Sequence, residues 1–128
     1  MSKYSKKVHS FEPNPLIFKY INENLKKISN NIDLYNFALS NKNSVLDLKV
    51  PIRDKKFDKE NYEEHYLMGR ATIHELNNFQ DYEKFEITLK KIDDFNFDNE
   101  ISFMKIDVEG HEIEVIEGGK LFIKKNKP

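Results

Sequence analysis

Apolar residues recur along this chain in two rhythms, one of period two and one of helical spacing. Lys7 to Phe11 is a short extended run that stops at Pro13 and Pro15. Proline holds the residue before it in extended geometry, so Glu12 and Asn14 stand outside any helix. Asn14 is then an N-cap with Pro15 at the first helical position. Ile17, Tyr20, Ile21, Leu25 and Ile28 follow at helical spacing and predict a helix to about Ser29, with Asn30 and Asn31 at its exit. Ile32 to Leu39 predicts the next strand, which completes a βαβ unit.

Ser40 to Ser44, SNKNS, is a turn cluster, and Val45 to Val50 alternates up to Pro51, predicting an antiparallel strand. Arg53 to Tyr66 is crowded with charges and lacks a period. It predicts a surface loop, where substrate-specific variation would sit. Ala71 to Leu76 is weakly strand-like. Phe85, Ile87 and Leu89 alternate with Glu86, Thr88 and Lys90, predicting a half-exposed strand, and Asp93 to Asn99 reads as a polar connection. The apolar run Ile101 to Val108, broken by Ser102, Lys105 and Asp107, predicts a central strand covered on both faces, as in a parallel sheet. A last helix is expected from His111 or Glu112 to about Lys124, with Ile113, Ile116, Phe122 and Ile123 on one face. Gly118 and Gly119 inside it predict close packing on the sheet.

The chemistry gathers where the central run ends. Alternation puts Phe103, Lys105, Asp107 and Glu109 on one face and Met104, Ile106 and Val108 on the other. A cation and two carboxylates in a sheet interior must pair or meet a ligand. Two readings stay open: an ion pair between Lys105 and a nearby acid, or a polar site at the strand end, where open α/β sheets bind ligands. Asp107, Glu109 and His111 also spell D-x-E-x-H, which invites a Mg²⁺ or Ca²⁺ reading. No second ligand cluster accompanies them, so no metal is assigned. His111 is expected to be exposed in the first helical turn, and His9, His65 and His74 to be structural or surface residues. Gly110 lets the chain turn sharply.

Composition narrows the classes. A chain of 128 residues is one domain's worth, and a net charge of −1 gives no electrostatic reason to expect nucleic acid or an acidic membrane. The chain has no cysteine, so disulfides, zinc–thiolate sites and thiol catalysis are excluded. No apolar run approaches the roughly 18 residues of a membrane-spanning helix. MSKYSKKVHS has no apolar stretch of the kind that a secretory signal carries. The default compartment is the cytoplasm.

Four stretches carry a resemblance: FEPNP at Phe11–Pro15, NFALSN at Asn36–Asn41, LKKIDDF at Leu89–Phe95 and KIDVEGHE at Lys105–Glu112, the last followed by an aliphatic helix with a small-residue pair. In this order the chain resembles the FkbM-type S-adenosylmethionine-dependent methyltransferases over nearly its whole length. The resemblance implies an α/β fold with an incomplete Rossmann-like methyltransferase sheet, its parallel strands interrupted by an antiparallel hairpin insertion, in a single partial domain spanning residues 1–128. It also implies that Glu12 holds the cofactor ribose, with Asn14 beside it, and that Ala38 flanks the adenine. Asp107 lies where the methyl group meets the acceptor, so Asp107 and Glu109 are the candidate catalytic residues. A carboxylate there takes a proton from a hydroxyl or orients it. The implied acceptor is a hydroxyl on a small molecule, a glycan or a lipid.

The chain also departs from the family. A glycine-rich turn of the D-x-G-A-N-x-G kind, which grips the methionine part of the cofactor, does not occur in it. The glycines are Gly69, Gly110, Gly118 and Gly119, and no G-x-G exists. The family's first strand lies between the strands here at Lys7 and Ile101, so its absence leaves inner backbone groups unpaired. Three explanations are open: a fragment of a longer frame, completion by another chain or by self-association, or a smaller non-catalytic sheet that acts in protein interaction. On this reading the chain alone binds S-adenosylmethionine poorly or not at all.

Overall fold

The computed structural model describes residues 5–51, 71–74 and 81–128. The predicted loop Arg53–Tyr66, with His65, lies outside the described residues, as does the end of the stretch Ala71–Leu76.

The first unit is parallel. Strand β1 (Val8–Phe11) pairs in register with β2 (Ile32–Tyr35), from Val8 opposite Ile32 to Phe11 opposite Tyr35. Helix α1 (Pro15–Ile28) crosses between them. The start of α1 follows the sequence signals closely: the Asn14 side chain accepts from the Leu16 amide at 3.0 Å, which satisfies one of the four amides that a helix leaves open. Ile17, Ile21 and Leu25 are half-buried, whereas Tyr20 on the same predicted face is 60% exposed.

The predicted strand Ile32–Leu39 is two strands in two sheets. After β2 the chain bends at Asn36, whose side-chain amide donates to the carbonyls of Glu12 at 2.9 Å and Pro13 at 3.3 Å. It then re-enters as β3 (Ala38–Leu39), parallel to β5 (Tyr82–Lys90). Strand β5 also pairs antiparallel with β4 (Ser44–Pro51), giving the order β3-β5-β4. Alternation along β5 is as predicted: Ile87 and Leu89 are buried between exposed Glu86, Thr88 and Lys90. They meet Leu48 and Val50 in the hydrophobic core, with Leu16, Ala38 and Phe85 packed around it. Thr72 makes an isolated antiparallel bridge to Lys49.

The central strand predicted at Ile101–Val108 does not form. The segment has no regular secondary structure and no ladder neighbour among the described residues, whose strands form the sheets β1-β2 and β3-β5-β4. The Ile101 amide is taken by the Asn126 side chain at 3.2 Å. The alternation survives only in part: Met104 and Ile106 are half-buried and Phe103, Lys105 and Asp107 exposed, but Val108, predicted to face inward, is exposed as well.

The last helix is also divided. Helices α2 (Glu112–Glu117) and α3 (Lys120–Asn126) meet at Gly118 and Gly119. Both glycines are in close packing, though not on a sheet face. A Cβ on Gly118 would meet the Ser40 backbone, and one on Gly119 would meet the Ile92 side chain. The buried apolar residues are therefore Val115 and Phe122, while Ile113 and Ile116, predicted to face inward, are 71% and 46% exposed. Ile92 begins a 3₁₀ turn (Ile92–Asp94), and the Asp93 carboxylate accepts from the Leu121 and Phe122 amides at 3.2 and 2.8 Å, capping α3.

An aromatic cluster joins the two sheets. Phe11 stacks on Tyr35 with ring centroids 5.0 Å apart, Phe37 stacks on Phe95 at 5.3 Å, and Phe97 meets His9 at 4.6 Å and Phe122 at 5.5 Å. The Lys90 ammonium sits 4.7 Å from the Phe37 ring centroid, in cation–π range. The stretch Asp93–Asn99, predicted as a polar connection, supplies two of these rings. Its signal in the sequence is spacing: His9 and Phe11, Tyr35 and Phe37, and Phe95 and Phe97 are pairs two residues apart, the period that aims rings to one side of an extended chain.

Candidate functional site

The strongest candidate lies where β1 ends. Glu12 follows the last β1 residue, and its amide extends the parallel ladder by donating to the Tyr35 carbonyl at 2.9 Å. The Glu12 side chain turns back over the next turn, where Oε1 accepts from the Asn14 amide at 2.8 Å. Burial pushes the Glu12 carboxyl above its ordinary value, and the bond from Asn14 offsets this only in part. Partly desolvated, the carboxylate has acceptor capacity left over, since it can take about four hydrogen bonds. Asn14 is 1% exposed, and its Nδ2 is buried without a partner.

Ala38 lies two residues after Asn36, whose side chain donates to the Glu12 carbonyl. Its methyl group packs on the core of β4 and β5, so what it offers a ligand is backbone and a small profile. Asp107 and Glu109 sit elsewhere on the surface. Asp107 is 67% exposed and pairs with Lys105 at 2.9 Å. Of the two readings of this face, the ion pair is the one observed, on a solvated surface and not in a sheet interior. Glu109 and Gly110 both have positive φ, 48° and 89°, so the turn after Asp107 is sharp. Glycine adopts that geometry without penalty; glutamate does not.

His111 is the main correction at this turn. Expected in solvent, it is 9% exposed, and Nε2 lies 3.0 Å from Ser40 Oγ. A Glu114 carboxylate oxygen stands 3.4 Å from Nδ1, within ion-pair range but without hydrogen-bond geometry. Burial lowers the His111 pKa, with Glu114 opposing and His74 adding to the shift. The signal that the pair leaves in the sequence is slight: Ser40 reads as a turn residue and His111 as a helix start.

Contacts run from Glu12 towards the start of α2 but do not include Asp107 or Glu109. Glu12 meets Asn36, Asn36 leads to Ala38–Ser40, and Ser40 meets His111 beyond the acidic turn. No hydrogen bond or ion pair joins Asp107 to Glu12 among the described residues. Among the described residues, hollows lie between Asn43 and Phe95 and between Asp93 and Asn126, and neither is lined by Glu12, Asp107 or Glu109. Among the described residues no group of three or more His, Asp or Glu is arranged to hold a metal ion, and no helix is long and apolar enough to cross a membrane.

These features define a mixed α/β protein with a carboxylate at the end of a parallel strand. The family model of the methyltransferase FkbM domain matches residues 1–128, and the chain belongs to that family. No curated protein and no solved structure was found to match it.

Proposed function

We propose that this chain is a partial FkbM-type domain with a Rossmann-like sheet, part of an S-adenosylmethionine-dependent enzyme that methylates a hydroxyl on a sugar, a lipid or a secondary metabolite. Family membership supplies the class, and Glu12 is the observation that carries the cofactor assignment. Its carboxylate is half-desolvated, accepts one backbone bond and stands at the carboxyl end of a parallel strand. A vicinal diol supplies the two donors that such a group lacks. The residues present therefore fit the adenosine half of the cofactor: Glu12 for the ribose and the backbone about Ala38 for the adenine, with buried Asn14 holding the tip by capping α1. They do not include a glycine-rich turn for the methionine half.

When bound, the cofactor supplies an electrophilic sulfonium methyl group. The protein's part is to position the acceptor and handle its proton. Asp107 takes that role, by orienting the hydroxyl or accepting its proton once Lys105 is displaced or shared; Glu109 stands next to it at the turn. A second reading, a non-catalytic module in protein interaction, draws on the unladdered segment Ile101–Val108, which a completing chain or a second copy would cover.

Saturation-transfer NMR with S-adenosylhomocysteine tests the assignment on the 128-residue chain. Binding is expected to be weak, with the strongest transfer to the adenine and ribose protons and the least to the homocysteine protons. Absence of transfer to the adenosine protons, or strongest transfer at the homocysteine end, would remove it.

A further inference from the structure

Ser40, His111 and Glu114 stand in a line, with 3.0 Å between Ser40 Oγ and His111 Nε2 and 3.4 Å between Nδ1 and the Glu114 carboxylate. These are the residue types of a nucleophile, its base and an orienting acid. Burial excludes that use here. Ser40 is 1% exposed, so its hydroxyl cannot meet a substrate.

What the pair does is fasten together two segments 71 residues apart. Ser40 directly follows β3, and His111 directly follows the turn Asp107–Gly110. Among the described residues, the turn is also held by a 3.3 Å bond from the His111 amide to the Val108 carbonyl and by the Glu112 carboxylate, which accepts from the Gly110 amide at 3.2 Å and interacts with the Val108 and Glu112 backbone. Asp107, Val108, Glu109 and Gly110 are all exposed, and two of them have left-handed φ. The His111 ring is the buried point next to them. At the other end of α2, Asn41 Nδ2 donates to Glu117 at 2.9 Å, and Gly118 lies against the Ser40 backbone. Those contacts hold the far end of the helix, whereas His111 is the buried contact next to the turn. The bond between Ser40 Oγ and His111 Nε2 forms in either tautomer, since the hydroxyl can donate to a bare Nε2 or accept from a protonated one.

We infer that Ser40 and His111 are a positioning pair that couples the strand end Ala38–Ser40 to the acidic turn Asp107–Gly110. The inference rests on the methyltransferase reading, in which the first segment faces the adenine and the second the acceptor. Filling the cofactor side then steadies the acceptor side, and by reciprocity the acceptor tightens the cofactor. Neither residue is catalytic.

Amide hydrogen exchange on the 128-residue chain, read by NMR with and without S-adenosylhomocysteine, tests the pair through Ser40→Ala, His111→Ala and His111→Gln. In the parent chain the ligand is expected to slow exchange at Asp107–His111. In Ser40→Ala and His111→Ala, exchange there is expected to be roughly three- to tenfold faster without ligand, and the ligand's effect on it lost. Protection in β4 and β5 should stay unchanged, which separates the effect from general loosening. His111→Gln, whose amide reaches the place of Nε2, should restore most of both. Unchanged exchange in the alanine variants, or a glutamine variant as fast as the alanine one, overturns the inference. If the ligand protects no segment of the parent chain, the assignment of the cofactor to this chain's residues fails instead, and the ligand-free comparison still decides whether the pair anchors the turn.

Discussion

Replacing Gly118 with alanine is expected to destabilise the chain by about 3 kcal/mol or more. The added Cβ would lie 1.9 Å from the Ser40 carbonyl oxygen and 2.7 Å from its carbon. Both are backbone atoms, so no rotamer change relieves the overlap. Either α2 moves off the turn after β3, or that turn leaves the parallel pairing with β5. The His111–Ser40 bond would be lost in both cases, since it bridges the same surfaces. Gly119→Ala is the milder comparison: its Cβ would meet Ile92 Cγ2 at 2.5 Å, a side-chain atom that a χ1 change can move, and the Val115 carbonyl oxygen at 3.3 Å. Its loss should be about 1 kcal/mol, partly offset by the better helix propensity of alanine. Urea denaturation followed by circular dichroism measures both, and equal midpoints for the two variants would show that the Ser40 contact is not tight.

Glu12→Gln is expected to weaken S-adenosylhomocysteine binding about tenfold or more while raising the melting temperature at neutral pH. The loss follows from replacing a charged acceptor by a neutral one opposite two hydroxyl donors. The stability gain has the opposite source. Burial raises the folded-state pKa of Glu12 above its ordinary 4.5, so the fold disfavours the carboxylate. Its contribution to stability is fully present below about pH 4.5 and is lost as pH rises through the folded-state value. At pH 7 the parent chain therefore carries a penalty that glutamine lacks, while the glutamine oxygen can keep the bond from the Asn14 amide. The difference in melting temperature should shrink to nothing as pH falls below the carboxyl's ordinary value. A variant that is less stable at pH 7, or that binds as well as the parent, would show that Glu12 is a surface residue beside a turn. Stability given up at a binding position is a common sign of function.

Much of the fold is legible in the sequence wherever local chemistry decides the outcome. Asn14 and Pro15 announce the start of α1, and β4 and β5 follow from alternation, because one face of each meets the core. The tip of β1 is legible too, since the prolines after Phe11 leave Glu12 extended. What is not legible depends on contacts between distant segments. Ile101–Val108 has the composition of a covered strand, but composition does not supply neighbours to form the ladder. Ile113 and Ile116 have helical spacing, but the side of α2 that is buried is set by Ser40 meeting His111 and Gly118. The break in Ile32–Leu39 comes from Asn36 reaching the carbonyls of Glu12 and Pro13, which no apolar pattern encodes. Of the candidate site, the motifs pick out Glu12 and the acidic turn, while the buried link between the turn and β3 comes only from the three-dimensional arrangement.

The central claim is that one ligand edge runs from the tip of β1 past Ala38 to the turn at Asp107. Amide shift mapping of the ¹⁵N-labelled chain with S-adenosylhomocysteine measures it directly. The account predicts shifts at Glu12 and Asn14, along Asn36–Ser40 and, more weakly, at Asp107–Gly110. Shifts confined to the hollow between Asn43 and Phe95, or an unchanged spectrum at saturating ligand, would contradict it.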